Sequence, residues 1–170
     1  MKNEQQALKV ANDALIFESE PTGLPPEKKT VTHPMEWKNE YSVGIKTIDD
    51  QHKMLLHCFA NIQNSIFAEQ AWSTIHYSII ELKELALIHF AVEDALMELF
   101  GYPKIAAHQR THQNFLYKLD DILNISTRKS ANKEMLKLLE EWQKKHILGD
   151  DRDYADFILS GATVVRSNNN

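Results

Sequence analysis

The 170-residue sequence contains a single cysteine, Cys58, so no disulfide can close within it, and a thiolate zinc site, which needs several cysteines, cannot form. Any metal must be held by nitrogen and oxygen ligands. Glycine and proline are scarce, at five each, and three of the prolines, Pro21, Pro25 and Pro26, cluster as a linker after an N-terminal stretch. No apolar run reaches the length of a membrane span, and the opening Met1-Lys2-Asn3-Glu4-Gln5 lacks the apolar stretch of a secretory signal. A cytoplasmic chain with no membrane partner is the expectation. Positive charge is not in excess either. With 24 acidic against 19 basic residues the formal charge is -5, and no basic stripe with interleaved aromatics marks a nucleic-acid partner. There is no internal repeat, and no low-complexity segment beyond Asn168-Asn169-Asn170.

What remains is helical pattern. The length suits one domain with short extensions. Residues 1–36 read as an extension, with Leu8, Ala11 and Leu15 at helical spacing before the proline linker; 37–160 reads as the main domain and 161–170 as a polar tail. In the main domain a first helix starts near Thr47, taken as its N-cap, and carries the stripe Ile48, His52, Leu55, Phe59, Ile62, Ile66. A second, from about Ser73 to Phe100, turns Ile75, Ile79, Leu82, Ala86, His89, Glu93 and Leu96 to one side and is stopped by Gly101. A third, opened by Pro103, aligns Ile105, His108, His112, Phe115, Leu119 and Ile122. The fourth, from about Ser130, aligns Met135, Leu138, Leu139, Trp142 and His146. Four amphipathic helices with short connections and no alternating strand pattern predict an all-α, antiparallel up-down-up-down four-helix bundle with an N-terminal extension.

Each of the four helices turns histidine toward the core. His89 and Glu93 are four residues apart, as are His108 and His112, so each pair projects from one helical face. A buried, unpaired imidazole costs about 1–3 kcal/mol, and five such misplacements on four helices are more than chance supplies. A bound cation accepts the imidazole lone pairs, while carboxylate offsets its charge. Five imidazoles and two carboxylates exceed a four-ligand zinc site but suit two octahedral ions bridged by the carboxylates and a solvent-derived oxygen, for which iron is the natural candidate. The second carboxylate is open at this point. Asp150 lies four residues after His146, whereas Asp151, five after, points about 140° away on a regular helix. Asp151 reaches the metals only if the helix loosens, for which Gly149 offers a place.

These residues resemble the hemerythrin family, and in particular its single-domain bacterial members, from Trp37 to about Tyr154. The matching pieces are Trp37, Tyr41-Ser42-Val43-Gly44-Ile45, Ile48-Asp49-Asp50-Gln51-His52-Lys53, His89-Phe90-Ala91-Val92-Glu93 with Met97, Tyr102-Pro103, His108, His112, Phe115, Trp142, His146-Ile147, and Asp151 with Tyr154. The resemblance implies a non-haem di-iron centre with an oxo or hydroxo bridge. One iron would be held by His108, His112 and His146 and the other by His52 and His89, with Glu93 and Asp151 bridging. It also decides for Asp151, because Tyr154 keeps its offset only in that register. Dioxygen is the implied partner, bound reversibly at an open position on the second iron.

One position departs from the family pattern: after Trp142 the family usually has leucine, which keeps the oxygen pocket dry, and here it is Gln143. It is either a surface residue or a polar contact that speeds autoxidation. His33, His57 and His76 match no ligand, and Cys58, Met54, Met97 and Met135 read as packing. Oxygen binding for storage or delivery is the leading expectation, without enzymatic turnover. The alternative is an oxygen- or redox-sensing input module that works through a signalling partner or a fused output domain. Peroxide or nitric oxide reduction ranks third.

Overall fold

The computed structural model describes residues 35–167, with side chains to 161; the expected N-terminal helix, the proline linker and His33 lie outside the described residues. A short 3-10 turn, Asn39–Tyr41, precedes helices α1 (Lys46–Phe67), α2 (Trp72–Leu99), α3 (Ile105–Leu123) and α4 (Arg128–Trp142). From α4 the chain runs on without a break through a π-helical segment, Gln143–Asp150, into α5 (Asp151–Ser167). The fourth helix of the bundle is thus α4, the π segment and α5 end to end. The residues placed in a polar tail from 161 begin on helical backbone, because α5 continues to Ser167. Each helix packs on the next and α1 also meets α4, closing a four-helix bundle with no strand among the described residues.

The helix ends show why the connections are short. After α2, Gly101 takes a φ of +68°, and the Tyr102 amide donates to the Met97 carbonyl (2.9 Å) while the Gly101 amide donates to that of Glu98 (3.2 Å). This doubly bonded C-cap satisfies carbonyls that the helix leaves free. The same pattern ends α1, with Gln70 bonded to Ser65 and Glu69 to Ile66, although Glu69 has to adopt a φ of +51° without glycine's freedom. Thr47 is not the cap of α1. The cap lies two residues earlier, at Ile45, and makes no side-chain cap. The Asp49 carboxylate reaches back instead, accepting from the Ser42 hydroxyl (2.6 Å) and the Val43 amide (2.8 Å). That fixes the loop through Gly44, whose φ is +84° and where an added Cβ would lie 3.1 Å from Leu159 of α5.

The predicted stripes are the buried faces. Ile48, Leu55, Phe59, Ile62, Ile75, Ile79, Leu82, Phe115, Leu119, Met135 and Leu139 are all buried, whereas Leu96 and Ile105 are partly buried. Met54, expected as packing, is exposed; Met97 and Met135 are fully buried. The apolar residues form two clusters. The larger one runs from Leu55, Ile79 and Leu119 to Met135 and Trp142; the smaller gathers Val43, Ile48, Met97, Tyr102, Tyr154, Ala155 and Ile158 at the other end. On each helix the change from one cluster to the other falls where histidine or acid replaces an apolar side chain.

Candidate metal centre

Between the two clusters lie His52 of α1, His89 and Glu93 of α2, His108 and His112 of α3, His146 of the π segment and Asp151 at the start of α5, all buried. The pairs spaced by four residues present both members to the same place, as one helical turn requires. The last two members depend on the π segment. Widening the turn from an i+4 to an i+5 closure brings the fifth residue after His146 round to its face. Asp151 therefore points inward with no exposure, while Asp150 lies on the outside with its side chain about half exposed. Spacing on a regular helix favours Asp150, and the structure overrides it. Gly149 lies within this wide turn, but its φ is not positive and a Cβ there would meet only open space.

The two carboxylates face both halves of the cluster. Glu93 turns Oε1 toward His89 (3.4 Å) and His52 (3.9 Å), and Oε2 toward His112 (3.0 Å), His108 (3.6 Å) and His146 (4.0 Å). Asp151 places Oδ2 3.0 Å from His52, and Oδ1 3.1 Å from His146 and 3.3 Å from His108. The imidazoles divide three and two: the rings of His108, His112 and His146 are 4.5–5.0 Å apart, and those of His52 and His89 are 4.9 Å apart.

Many atoms that point into this space have no hydrogen-bond partner. They include Nε2 of His52, His89 and His108, Oε2 of Glu93 and both carboxylate oxygens of Asp151. Buried polar atoms are almost always paired, so a group of orphans aimed at one another marks a cation site. Two sets of ligand atoms lie close enough to hold one: Glu93, His108, His112 and His146, and His52, His89, Glu93 and Asp151. Electrostatics agree. Burial pushes the His89 imidazole down to about 3 and that of His146 to about 4, and it lowers His52 as well. All three are thus neutral and ready to donate a lone pair. Burial works to lower His108 too, but there Glu93 and Asp151 outweigh it and raise the group. Burial also works to raise the Glu93 carboxyl, yet His89, His108 and His112 hold it well below the usual carboxylate value. Burial and the Glu93 charge push Asp151 up. A cation would hold both acids ionised.

Apolar and aromatic side chains enclose the three-histidine half. Phe90 stacks flat on His112 with ring centres 3.9 Å apart, and Trp142 lies 3.8 Å from His146. Gln143 is half-buried at the first position of the π segment. Tyr154 donates its hydroxyl to Glu93 Oε1 at 2.8 Å, and burial together with Glu93 raises its pKa. Three outer partners escape the sequence reading. Gln51 Oε1 lies 3.1 Å from His89 Nδ1, Asp150 Oδ2 lies 3.3 Å from His146 Nδ1, and Asp94 Oδ1 lies 3.2 Å from His112 Nδ1 without hydrogen-bond alignment. Gln51 and Asp94 carry no readable signal, since each serves a histidine on a different helix. His57 is exposed, and His76 packs edge-on to Trp72, away from the cluster. Cys58 is buried, with its thiol pushed up to about 11 by burial.

The hemerythrin HHE cation binding domain family matches residues 43–158. That span covers more than half of the chain and every residue of the cluster. The chain belongs to the hemerythrin family. Among its hemerythrin relatives, a bacteriohemerythrin of Clostridium acetobutylicum is 32% identical over 128 residues, covering 71% of this chain and 98% of its own. A bacteriohemerythrin of Stenotrophomonas maltophilia is 31% identical over 121 residues, covering 71% and 78%. A hemerythrin-like protein of Naegleria gruberi is 28% identical over 125 residues, covering 74% and 94%. As a hemerythrin, the chain has a metal-binding domain, and no helix among the described residues is long and apolar enough to cross a membrane.

Proposed function

We propose that the cluster holds two iron ions and that the protein binds dioxygen reversibly there, as a storage or delivery protein rather than an enzyme. His108, His112 and His146 would ligate one ion and His52 and His89 the other, with Glu93 and Asp151 bridging. The observation that carries this reading is the arrangement of the two acids, each turning one oxygen to the three-histidine half and the other to the two-histidine half. A single ion would not use both ends of both carboxylates. A pair of ferrous ions supplies the two electrons that reversible dioxygen uptake requires.

The chain's own groups fit that task. Five imidazole donors against two carboxylates make a donor set poorer in negative charge than an all-carboxylate site, so it stabilises the oxidised state less and favours release over irreversible oxidation. Unequal division of the histidines would leave an ion in the two-histidine half with one protein ligand fewer, and a diatomic would bind on that side. Burial of every ligand keeps bulk water out, and Phe90 and Trp142 seal the opposite half. The Tyr154 hydroxyl holds Glu93 in its bridging orientation.

The test is elemental analysis with an absorption spectrum in air, then after dithionite, then after oxygen is readmitted. Two irons per chain and bands that bleach and return are expected. Fewer than two metals at full occupancy, or bands that never return, would refute the reading.

A further inference from the structure

The five imidazoles are not backed alike. Behind His146, on the three-histidine side, the Asp150 carboxylate accepts from Nδ1 at 3.3 Å, while the Asp94 carboxylate, 3.2 Å from Nδ1 of His112, is not aligned for a hydrogen bond. Behind His89, on the two-histidine side, stands the neutral amide of Gln51 at 3.1 Å. Nδ1 of His52 has no partner at all. A carboxylate on the outer nitrogen fixes the tautomer that leaves Nε2 free for a metal and increases the basicity of the ring; an amide fixes the tautomer with less effect on basicity.

We propose that Asp150 is a positioning residue for His146, and that its carboxylate makes the three-histidine half the tighter and more readily oxidised of two unequal metal positions. The inference rests on the reading that two iron ions occupy the cluster, though not on the binding of dioxygen. It also gives Asp150 a use. The π turn that carries Asp151 inward leaves Asp150 outside, four residues after His146, where it can reach the back of the ring. The two adjacent acids thus serve opposite ends of the same centre.

The test compares the iron-loaded wild-type protein with Asp150→Asn and Gln51→Glu, measuring iron per chain, the rate of iron release to a strong chelator and the midpoint potential. Wild type should release iron in two phases. In Asp150→Asn the slow phase should accelerate about 10–100-fold, the usual effect of losing an outer partner, and the potential should rise. Gln51→Glu should slow the fast phase and lower the potential, and neither change should alter helical content. A merely structural role for Asp150 would not move the potential in these opposite directions. If wild type holds two irons but both variants keep its release rates and potential, the proposal is overturned while the di-iron reading stands. Should wild type hold fewer than two irons, both fall together.

Discussion

Tyr154 is the residue whose contribution can be isolated most cleanly, because it is fully buried and makes one polar contact, the 2.8 Å bond to Glu93. Replacing it with phenylalanine keeps the ring in the smaller apolar cluster and removes only the donor. Metal-free Tyr154→Phe should lose about 1–3 kcal/mol by urea denaturation, the usual penalty for leaving a buried acceptor unpaired. The histidines predict a pH effect of definite sign. His89 and His146 titrate near 6.5 when unfolded but are held at about 3 and about 4 by burial in the folded chain, and His52 is lowered in the same direction. Groups depressed in the native state contribute stability that is present above their unfolded value and lost as the pH falls. Asp151, raised by burial, and His108, raised by Glu93 and Asp151, work the other way, whereas Glu93, held low by its histidines, works with the three imidazoles. Metal-free protein should therefore melt at progressively lower temperature as the buffer goes from pH 7 toward pH 4. Melts that are flat across this window would show the imidazoles to be far better hydrated than their burial implies.

At the scale of the element, the π segment does what no side chain can: it changes which acid faces the centre. Gly149 sits within it but needs neither its freedom of φ nor its lack of a side chain. Gly149→Ala should accordingly stabilise the protein by about 0.5–1 kcal/mol, the ordinary gain from removing glycine inside a helix, with iron content unchanged. Loss of metal in that variant would mean the wide turn depends on the glycine after all. This segment also marks the limit of what the sequence discloses. The α-helical stripes were legible because burial imposes a 3.6-residue period, and six of the seven cluster residues lie on those stripes. Asp151 was legible only through resemblance, since a π turn leaves no periodic signature in eight residues. The outer partners Gln51 and Asp94 were illegible for a different reason, because contacts between helices depend on rotation and offset that no single stripe encodes.

For the molecule as a whole, the centre is a polar layer between two apolar clusters, each of which packs through its own side chains. Leu55, Phe59, Ile62, Ile79, Leu82, Leu119 and Leu139 at one end, and Ile48, Met97 and Tyr154 at the other, are each at most 1% exposed. Nothing in either cluster requires a metal to pack. The polar layer, by contrast, carries a set of unpaired buried atoms that weigh against folding until a cation satisfies them. Removing metal should therefore leave the helices in place and lower the stability. A metal present at a hundredfold excess over its dissociation constant adds about 2.7 kcal/mol. For a chain of this size each kcal/mol moves the melting temperature by about 2–4 °C, which gives a shift on the order of 5–10 °C. Circular dichroism of loaded and chelator-treated protein checks both halves of this expectation. Matching spectra at 20 °C with separated melting curves are the expected result. Loss of helix on chelation would mean that the two clusters cannot assemble across an empty layer, and coincident curves would mean that the layer carries no strain for a metal to relieve.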